Sequence, residues 1–146
     1  KQGAFMVPTE VLAEQHYQNL LNNLNSMFVN VELLTGNTSQ KKRKEIFRNL
    51  ANGQINILVG THALFEEKVI FNSLGIVIID EQHRFGVSQR NRLLKKGENS
   101  HLLSMTATPI PRTLALSLYG DLDASQINDG LCSCGRGGIC NLDWCY

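Results

Sequence analysis

The stretch Ile76-Val77-Ile78-Ile79-Asp80-Glu81-Gln82-His83 decides the fold of this chain. Its first four residues are all β-branched and apolar, which predicts a strand that is buried on both faces. Strands of this kind lie inside parallel sheets that helices cover on both sides. The polar residues that follow are therefore expected at the carboxyl end of an interior strand, where open α/β sheets bind their ligands.

Shorter apolar runs on both sides of this stretch predict four further strands. They cover residues 4–7, 29–34, 55–59 and 102–105. Between several of them, apolar residues recur at the three- and four-residue steps of a helix. Strands that alternate with helices in this way predict an open α/β fold, with a mostly parallel sheet, right-handed crossovers and helices on both faces.

Three helices are predicted from these steps and from residues that favour helix ends. The first begins after Pro8 and Thr9, and the second is capped by Thr38 or Ser39 and ends near Gly53. A third, with Pro in its first turn, covers residues 111–119. The expected apolar faces are Ala13, Tyr17, Leu20, Leu24 and Met27 in the first helix, and Ile46, Phe47, Leu50 and Ala51 in the second.

Polar residues directly after each predicted strand are the candidates for a functional site. Since the carboxyl ends of parallel strands share one edge of a sheet, these residues are expected to converge there. They are Pro8-Thr9-Glu10, Thr35-Gly36, Gly60-Thr61-His62, Asp80-Glu81-Gln82-His83 and Thr106-Ala107-Thr108.

Two adjacent carboxylates, Asp80 and Glu81, carry the clearest chemical signal at this edge. One carboxylate can hold Mg²⁺, which takes only one or two protein carboxylates and keeps most of its waters. The other can orient and deprotonate an attacking water, as phosphoryl transfer requires. The alternative is that both residues belong to a solvated turn at the end of a strand.

Four motifs in order resemble those of the superfamily 2 helicases. Asp80-Glu81-Gln82-His83 resembles their Walker B element, a DEAH-like box, and residues 104–109 resemble motif III. Residues 7–10 resemble motif Ia and residues 59–62 motif Ib. Three longer stretches are similar to the RecG family of branched-DNA helicases, and the resemblance as a whole covers roughly residues 3–128. The stretches are Met6-Val7-Pro8-Thr9-Glu10-Val11-Leu12-Ala13-Glu14-Gln15-His16, Asp80-Glu81-Gln82-His83-Arg84-Phe85-Gly86-Val87 and Thr106-Ala107-Thr108-Pro109-Ile110-Pro111-Arg112-Thr113-Leu114-Ala115.

The resemblance implies a RecA-like fold, ATP and Mg²⁺ as cofactors, and a role for each motif residue. Asp80 would hold Mg²⁺ through water and Glu81 would be the general base. Gln82 and His83 would also face the nucleotide and couple it to the motif III residues Thr106, Ala107 and Thr108. The residues implied to lie along the DNA strand are Pro8, Thr9, Glu10, Gly36, Gly60, Thr61 and His62.

Parts of such a motor are missing from the sequence. No G-x-x-x-x-G-K-[ST] loop occurs in the chain, so we expect a RecA-like domain that is truncated at its N-terminal, P-loop end. Residues 1–129 are predicted to be this partial domain, from motif Ia to motif III. The second RecA-like domain and the N-terminal wedge domain that recognises DNA junctions are expected elsewhere, and the chain alone is expected to be inactive.

The implied function is that of an ATP-dependent DNA helicase that remodels forks and junctions in recombination and repair. A transcription–repair coupling translocase is an alternative, although that family has D-E-E-Q where this chain has residues 80–83. A non-catalytic DNA-binding module that keeps the fold is a second alternative.

Composition limits the class of protein. With 42% hydrophobic and 18% charged residues the chain is globular, and its net charge of +1 means that any basic patch is local. No apolar run approaches the roughly 20 residues of a membrane span. We expect no membrane partner and a bacterial-type cytoplasmic location at the nucleoid.

All four cysteines lie in residues 130–146, which departs from the rest of the chain in composition. Their spacing, C-x-C-x₅-C-x₄-C, matches no common zinc arrangement, and a disulfide is unexpected in a cytosolic chain. The favoured interpretation is a tail that is foreign to the domain.

Two further features have ordinary structural interpretations. The basic cluster of residues 41–44 could contact DNA, but four charges early in a helix usually form a solvated face. Apart from the motifs, His62 and His83 would be interpreted as surface histidines or as hydrogen-bonded core histidines.

Overall fold

A computed structural model describes residues 1–24, 26–97 and 100–106. Ala107, Thr108, the helix predicted over 111–119 and the cysteine-rich tail lie outside these ranges. The described elements are β1 (Gln2–Met6), α1 (Glu10–Leu24), β2 (Val31–Leu34), α2 (Gln40–Ala51), β3 (Ile57–Gly60), β4 (Leu74–Ile79), α3 (Val87–Leu94) and β5 (His101–Ser104), with 3₁₀ helices at His62–Phe65 and Gln82–Arg84.

The five strands form one parallel sheet in the order β2-β3-β1-β4-β5. All five predicted strands are present, and their ends differ from the predicted ones by at most two residues. β4, which was predicted from its apolar run, lies between β1 and β5 as an interior strand. The predicted parallel α/β sheet is therefore confirmed.

Side chains of β1 alternate between two apolar layers. Ala4 and Met6 belong to a buried cluster that includes residues of α2 and α3. Phe5 and Val7 belong to a second cluster, on the face that α1 covers. Because both faces are packed, the polar groups of the interior strands meet solvent and ligands at the strand ends.

The predicted ends of the second helix agree with the structure to within two residues, whereas the predicted apolar face of the first helix extends too far. Ser39 is the N-cap of α2, and its side chain accepts a hydrogen bond from the Lys42 amide at 3.4 Å. Two members of the predicted apolar faces are wrong: Met27 lies beyond the end of α1 and is 63% exposed, and Ala51 is exposed at the last residue of α2. In the first helix the apolar steps continue past Leu24, so periodicity alone misplaces that end.

The short helix α3 and both 3₁₀ helices are absent from the prediction. α3 has eight residues and only Leu93 is fully buried in it, which is too little for a periodic apolar stripe.

Within the described residues no helix is long and apolar enough to cross a membrane.

Candidate active site and nucleic-acid interface

Backbone hydrogen bonds join the polar strand ends into one edge. The Asp80 amide donates to the Met6 carbonyl at 2.9 Å, and the Val7 amide donates to the Gly60 carbonyl at 3.0 Å. At the other side of β4, the Met105 amide donates to the Ile79 carbonyl at 2.8 Å. The segments after β1, β3, β4 and β5 are therefore held at fixed positions relative to one another.

Asp80 is buried at this edge, with 8% of its surface exposed. Its Oδ1 accepts a hydrogen bond from the Glu81 amide at 2.9 Å. Its Oδ2 lies 3.4 Å from Nε2 of His16, which α1 contributes. The His16 ring packs edge-on against Phe5, with the ring centroids 4.7 Å apart and the planes at 75°. The carboxylate of Asp80 is thus contacted on both oxygens.

Glu81 adopts a left-handed backbone conformation, with φ 49° and ψ 52°. Such a conformation is uncommon and costly for a residue with a side chain, and it is enriched at functional sites. It turns the chain sharply after the Asp80 carboxylate. Oε2 of Glu81 lies 3.2 Å from Nδ1 of His83, and it accepts a hydrogen bond from Oγ1 of Thr106 at 3.5 Å. Three residues predicted for the nucleotide site and for its coupling to motif III are brought together here.

Gln82 connects this edge to two neighbouring elements. Its amide donates to the Met105 carbonyl at 3.3 Å, next to Thr106. Its side chain is buried, and Oε1 accepts a hydrogen bond from Nη1 of Arg90 in α3 at 3.4 Å. Arg90 has no motif signal in the sequence, since its contribution depends on how α3 packs.

The side chains of the motif Ia residues Thr9 and Glu10 make hydrogen bonds to other parts of the chain. Oγ1 of Thr9 accepts a hydrogen bond from the Leu12 amide at 3.3 Å and so caps α1. The Glu10 carboxylate accepts hydrogen bonds from the amide and from the side chain of Asn37, in the turn after β2. A Cβ on Gly36 would lie 2.9 Å from Oε1 of Glu10, so this turn and the start of α1 are in close contact.

The motif Ib residues form a second close approach. A Cβ on Gly60 would lie 2.3 Å from the Leu34 carbonyl oxygen, so only glycine fits there. Thr61 is buried. His62 is exposed, and its ring centroid lies 5.5 Å from that of Phe85, which follows the Walker B segment.

Arg43 corrects the interpretation of residues 41–44 as a solvated face. Its side chain is 13% exposed, and it donates to the carbonyls of Thr35 at 2.6 Å, Gly36 at 3.3 Å and Thr38 at 3.1 Å. Nη1 pairs with Oε1 of Glu66 at 2.5 Å. A guanidinium can satisfy several acceptors at once because its donors form a planar fork. Arg43 therefore holds the turn that carries Gly36.

Lys96 holds the segment of Glu66 from the other side. Its Nζ donates to the carbonyls of Glu66 at 2.6 Å and Val69 at 2.8 Å. Burial is the main cause that lowers the pKa of Lys96 from its ordinary value, and the nearby positive charge of Arg92 lowers it further.

Among residues 1–24, 26–97 and 100–106 no three His, Cys, Asp or Glu side chains form a cluster that could hold a metal by themselves.

The sequence matches a known family over most of its length. The family model described as DEAD/DEAH box helicase covers residues 1–116. The chain belongs to the DEAD/DEAH box helicase family. The resemblance to superfamily 2 helicases that the motifs indicated is confirmed.

Within this helicase family the chain is similar to RecG proteins. It is 62% identical over 128 residues to the ATP-dependent DNA helicase RecG of Synechocystis sp., and the match covers 88% of this chain and 15% of that relative. It is 56% identical over 130 residues to the RecG of Aquifex aeolicus, and this match covers 88% of this chain and 16% of that relative. The chain thus spans about one-sixth of the length of the curated relatives that it matches.

Solved structures agree with this family and with the RecA-like fold. A structure of RecG bound to a three-way DNA junction has a TM-score of 0.73 and 46% identity, and the match covers 88% of this chain and 17% of that one. The Mycobacterium smegmatis helicase Lhr, at 18% identity and a TM-score of 0.65, shares the fold. Its match covers 86% of this chain and 19% of Lhr.

Sequence reasoning on this helicase segment missed the residues that support the motifs from the helices. His16 lies three residues after the buried Ala13, so a polar residue in an apolar stripe was the available signal. Arg43 could not be told apart in the sequence from the three lysines around it, which are exposed, so its structural role was not predicted.

Arg43→Lys is expected to lower the free energy of unfolding by about 1–3 kcal/mol, since a single ammonium cannot reach all of the carbonyls and the Glu66 carboxylate that the fork contacts. Chemical denaturation of the purified chain measures the effect. Lys44→Ala, at an exposed position, is the control and should stay within about 0.5 kcal/mol of the parent. Equal stability of the two variants would contradict the role of Arg43.

Proposed function

We propose that this chain forms the central part of the first motor domain of an ATP-dependent DNA helicase that acts on branched DNA in recombination and repair. The observation that carries the proposal is the contact of Glu81 with both His83 and Thr106 beside the buried Asp80. The RecG relatives, and the three-way DNA junction to which the related RecG structure is bound, support the DNA substrate.

Asp80 is the proposed Mg²⁺ residue, in contact with the ion through water. The donor set fits, because Mg²⁺ bound with a nucleotide needs only one or two protein carboxylates. When bound, the ion neutralises charge on the phosphates of ATP. Gln82 and His83 complete the proposed nucleotide-facing segment.

Glu81 is the proposed general base. A carboxylate oxygen would take a proton from the water that attacks the γ-phosphate. Its contacts with His83 and Thr106 fix the direction in which the carboxylate points. Thr106, together with Ala107 and Thr108, is proposed to couple this step to strand separation.

The proposed DNA path follows the other strand ends, at Pro8, Thr9, Gly36, Gly60, Thr61 and His62. Glu10 has a different proposed role from the one that the motif implied. Its carboxylate already accepts hydrogen bonds from Asn37, and a carboxylate repels a phosphate. Glu10 would therefore shape the turn that contains Gly36 and act on DNA through it.

The phosphate-binding loop, the second motor domain and the junction-binding domain would come from other parts of a longer protein. The partial domain of residues 1–129, the foreign tail of 130–146 and the nucleoid location remain predictions. On this proposal the 146-residue chain alone releases no phosphate from ATP.

A hybrid protein tests the proposal. In this hybrid helicase, residues 1–116 of the chain replace the matching segment of Synechocystis RecG. The hybrid helicase is expected to release phosphate from ATP when a three-way DNA junction and Mg²⁺ are present. The isolated chain should release none under the same conditions. A folded but inactive hybrid, or an active isolated chain, would contradict the proposal.

A further inference from the structure

His16 is a polar residue that α1 directs into the core. It is 4% exposed, and it lies between the aromatic ring of Phe5 and the carboxylate of Asp80. Burying a polar side chain is costly unless it contacts a polar partner. An apolar residue at this position would pack equally well. What distinguishes His16 from the apolar residues on the same side of α1 is its contact with Asp80 at 3.4 Å.

Asp80 depends on such contacts for its orientation. The final torsion of an aspartate is broad, so the carboxylate plane is free to turn unless neighbours hold it. The Glu81 amide holds Oδ1 at 2.9 Å, and Oδ2 is the oxygen that faces Nε2 of His16. The edge-on packing of the His16 ring against Phe5 restricts the ring in turn.

We propose that His16 is a positioning residue for Asp80, which holds the carboxylate in the orientation that meets the Mg²⁺ of a bound nucleotide. This inference rests on the proposed function. Groups that orient a metal-binding side chain typically change metal affinity by about 10–100-fold when they are removed. α1 starts at Glu10 beside the turn of Gly36, so one helix supports both the proposed DNA path and the nucleotide site.

Three substitutions in the hybrid helicase separate the polar contact from packing. His16→Phe keeps an aromatic ring against Phe5 but removes the polar atom. His16→Gln can place an amide nitrogen near the position of Nε2, whereas the shorter side chain of His16→Asn cannot reach it. The Gln and Asn pair has the same chemistry and differs in reach, so it remains informative if His16→Phe does not fold.

The primary measurement is equilibrium binding of a fluorescent ATP analogue at increasing Mg²⁺ concentration. We expect His16→Phe and His16→Asn to raise the Mg²⁺ concentration for half-maximal binding by roughly 10-fold, and His16→Gln to stay within about 3-fold of the parent. Binding of the analogue without Mg²⁺ should be unchanged in all three. The Mg²⁺ dependence of phosphate release should shift in parallel.

Unchanged Mg²⁺ dependence in His16→Asn, or an equal shift in His16→Asn and His16→Gln, would overturn the inference. Glu81→Gln in the same hybrid separates this outcome from a failure of the proposed function. If Glu81→Gln stops hydrolysis while the His16 variants bind Mg²⁺ like the parent, the function stands and only the role of His16 is refuted.

Discussion

Glu81→Gln in the hybrid helicase is expected to lower ATP hydrolysis by roughly 10²–10⁴-fold, the range that a positioned general base contributes. Gln has the shape of Glu and can still accept a hydrogen bond from Thr106, but it cannot take the proton of the attacking water. Binding of nucleotide and of junction DNA should persist. Phosphate release and equilibrium binding, measured on the same preparation, check both parts.

The backbone of Glu81 makes this substitution cleaner than removal of the side chain. Gln and Glu carry the same cost of the left-handed conformation at φ 49°, so the change alters chemistry without altering strain. Glu67→Gln, at an exposed position, is the matched control and should hydrolyse ATP like the parent. Hydrolysis by Glu81→Gln at the parent rate would refute the assignment of the general base.

Much of this fold could be predicted because its strands carry a local signal. β4 is recognisable from four consecutive β-branched residues, and its interior place was predicted from apolar side chains on both faces. The expected burial is incomplete, because Ile76 is 39% exposed. The order of the strands carries no comparable signal, because it depends on contacts between distant segments. α3 was missed for a related reason, since it buries its apolar side only through tertiary packing.

The residues of the candidate site also differ in whether a local sequence pattern could predict them. Residues that follow strands, such as Asp80 and Glu81, were located by position alone, because parallel strands end at one edge. Residues that reach this edge from helices, such as His16 and Arg43, depend on helix packing that no local pattern records. The contact between Glu10 and Asn37 likewise joins segments that are 27 residues apart.

Gly60 shows how a motif residue acts through the backbone. Gly60→Ala is expected to lower the free energy of unfolding by about 3 kcal/mol, at the upper end of the usual cost of overpacking. The added Cβ would lie 2.3 Å from the Leu34 carbonyl oxygen and 3.2 Å from Cγ of Leu64. Gly60 is the ladder partner of Leu34, so β2 and β3 must separate locally to admit the methyl group.

Gly86→Ala is the matched control for this substitution. Its new Cβ would lie 3.8 Å from Oγ of Ser88, an ordinary contact, and its φ of −67° suits any residue. Chemical denaturation should place Gly86→Ala within about 1 kcal/mol of the parent, because loss of backbone freedom in the unfolded chain offsets the weaker helix cap. If Gly60→Ala is as stable as Gly86→Ala, β2 and β3 do not approach as closely as described. The turn after β2, which Arg43 and Glu10 hold in place, would then lack its fixed position beside Gly60.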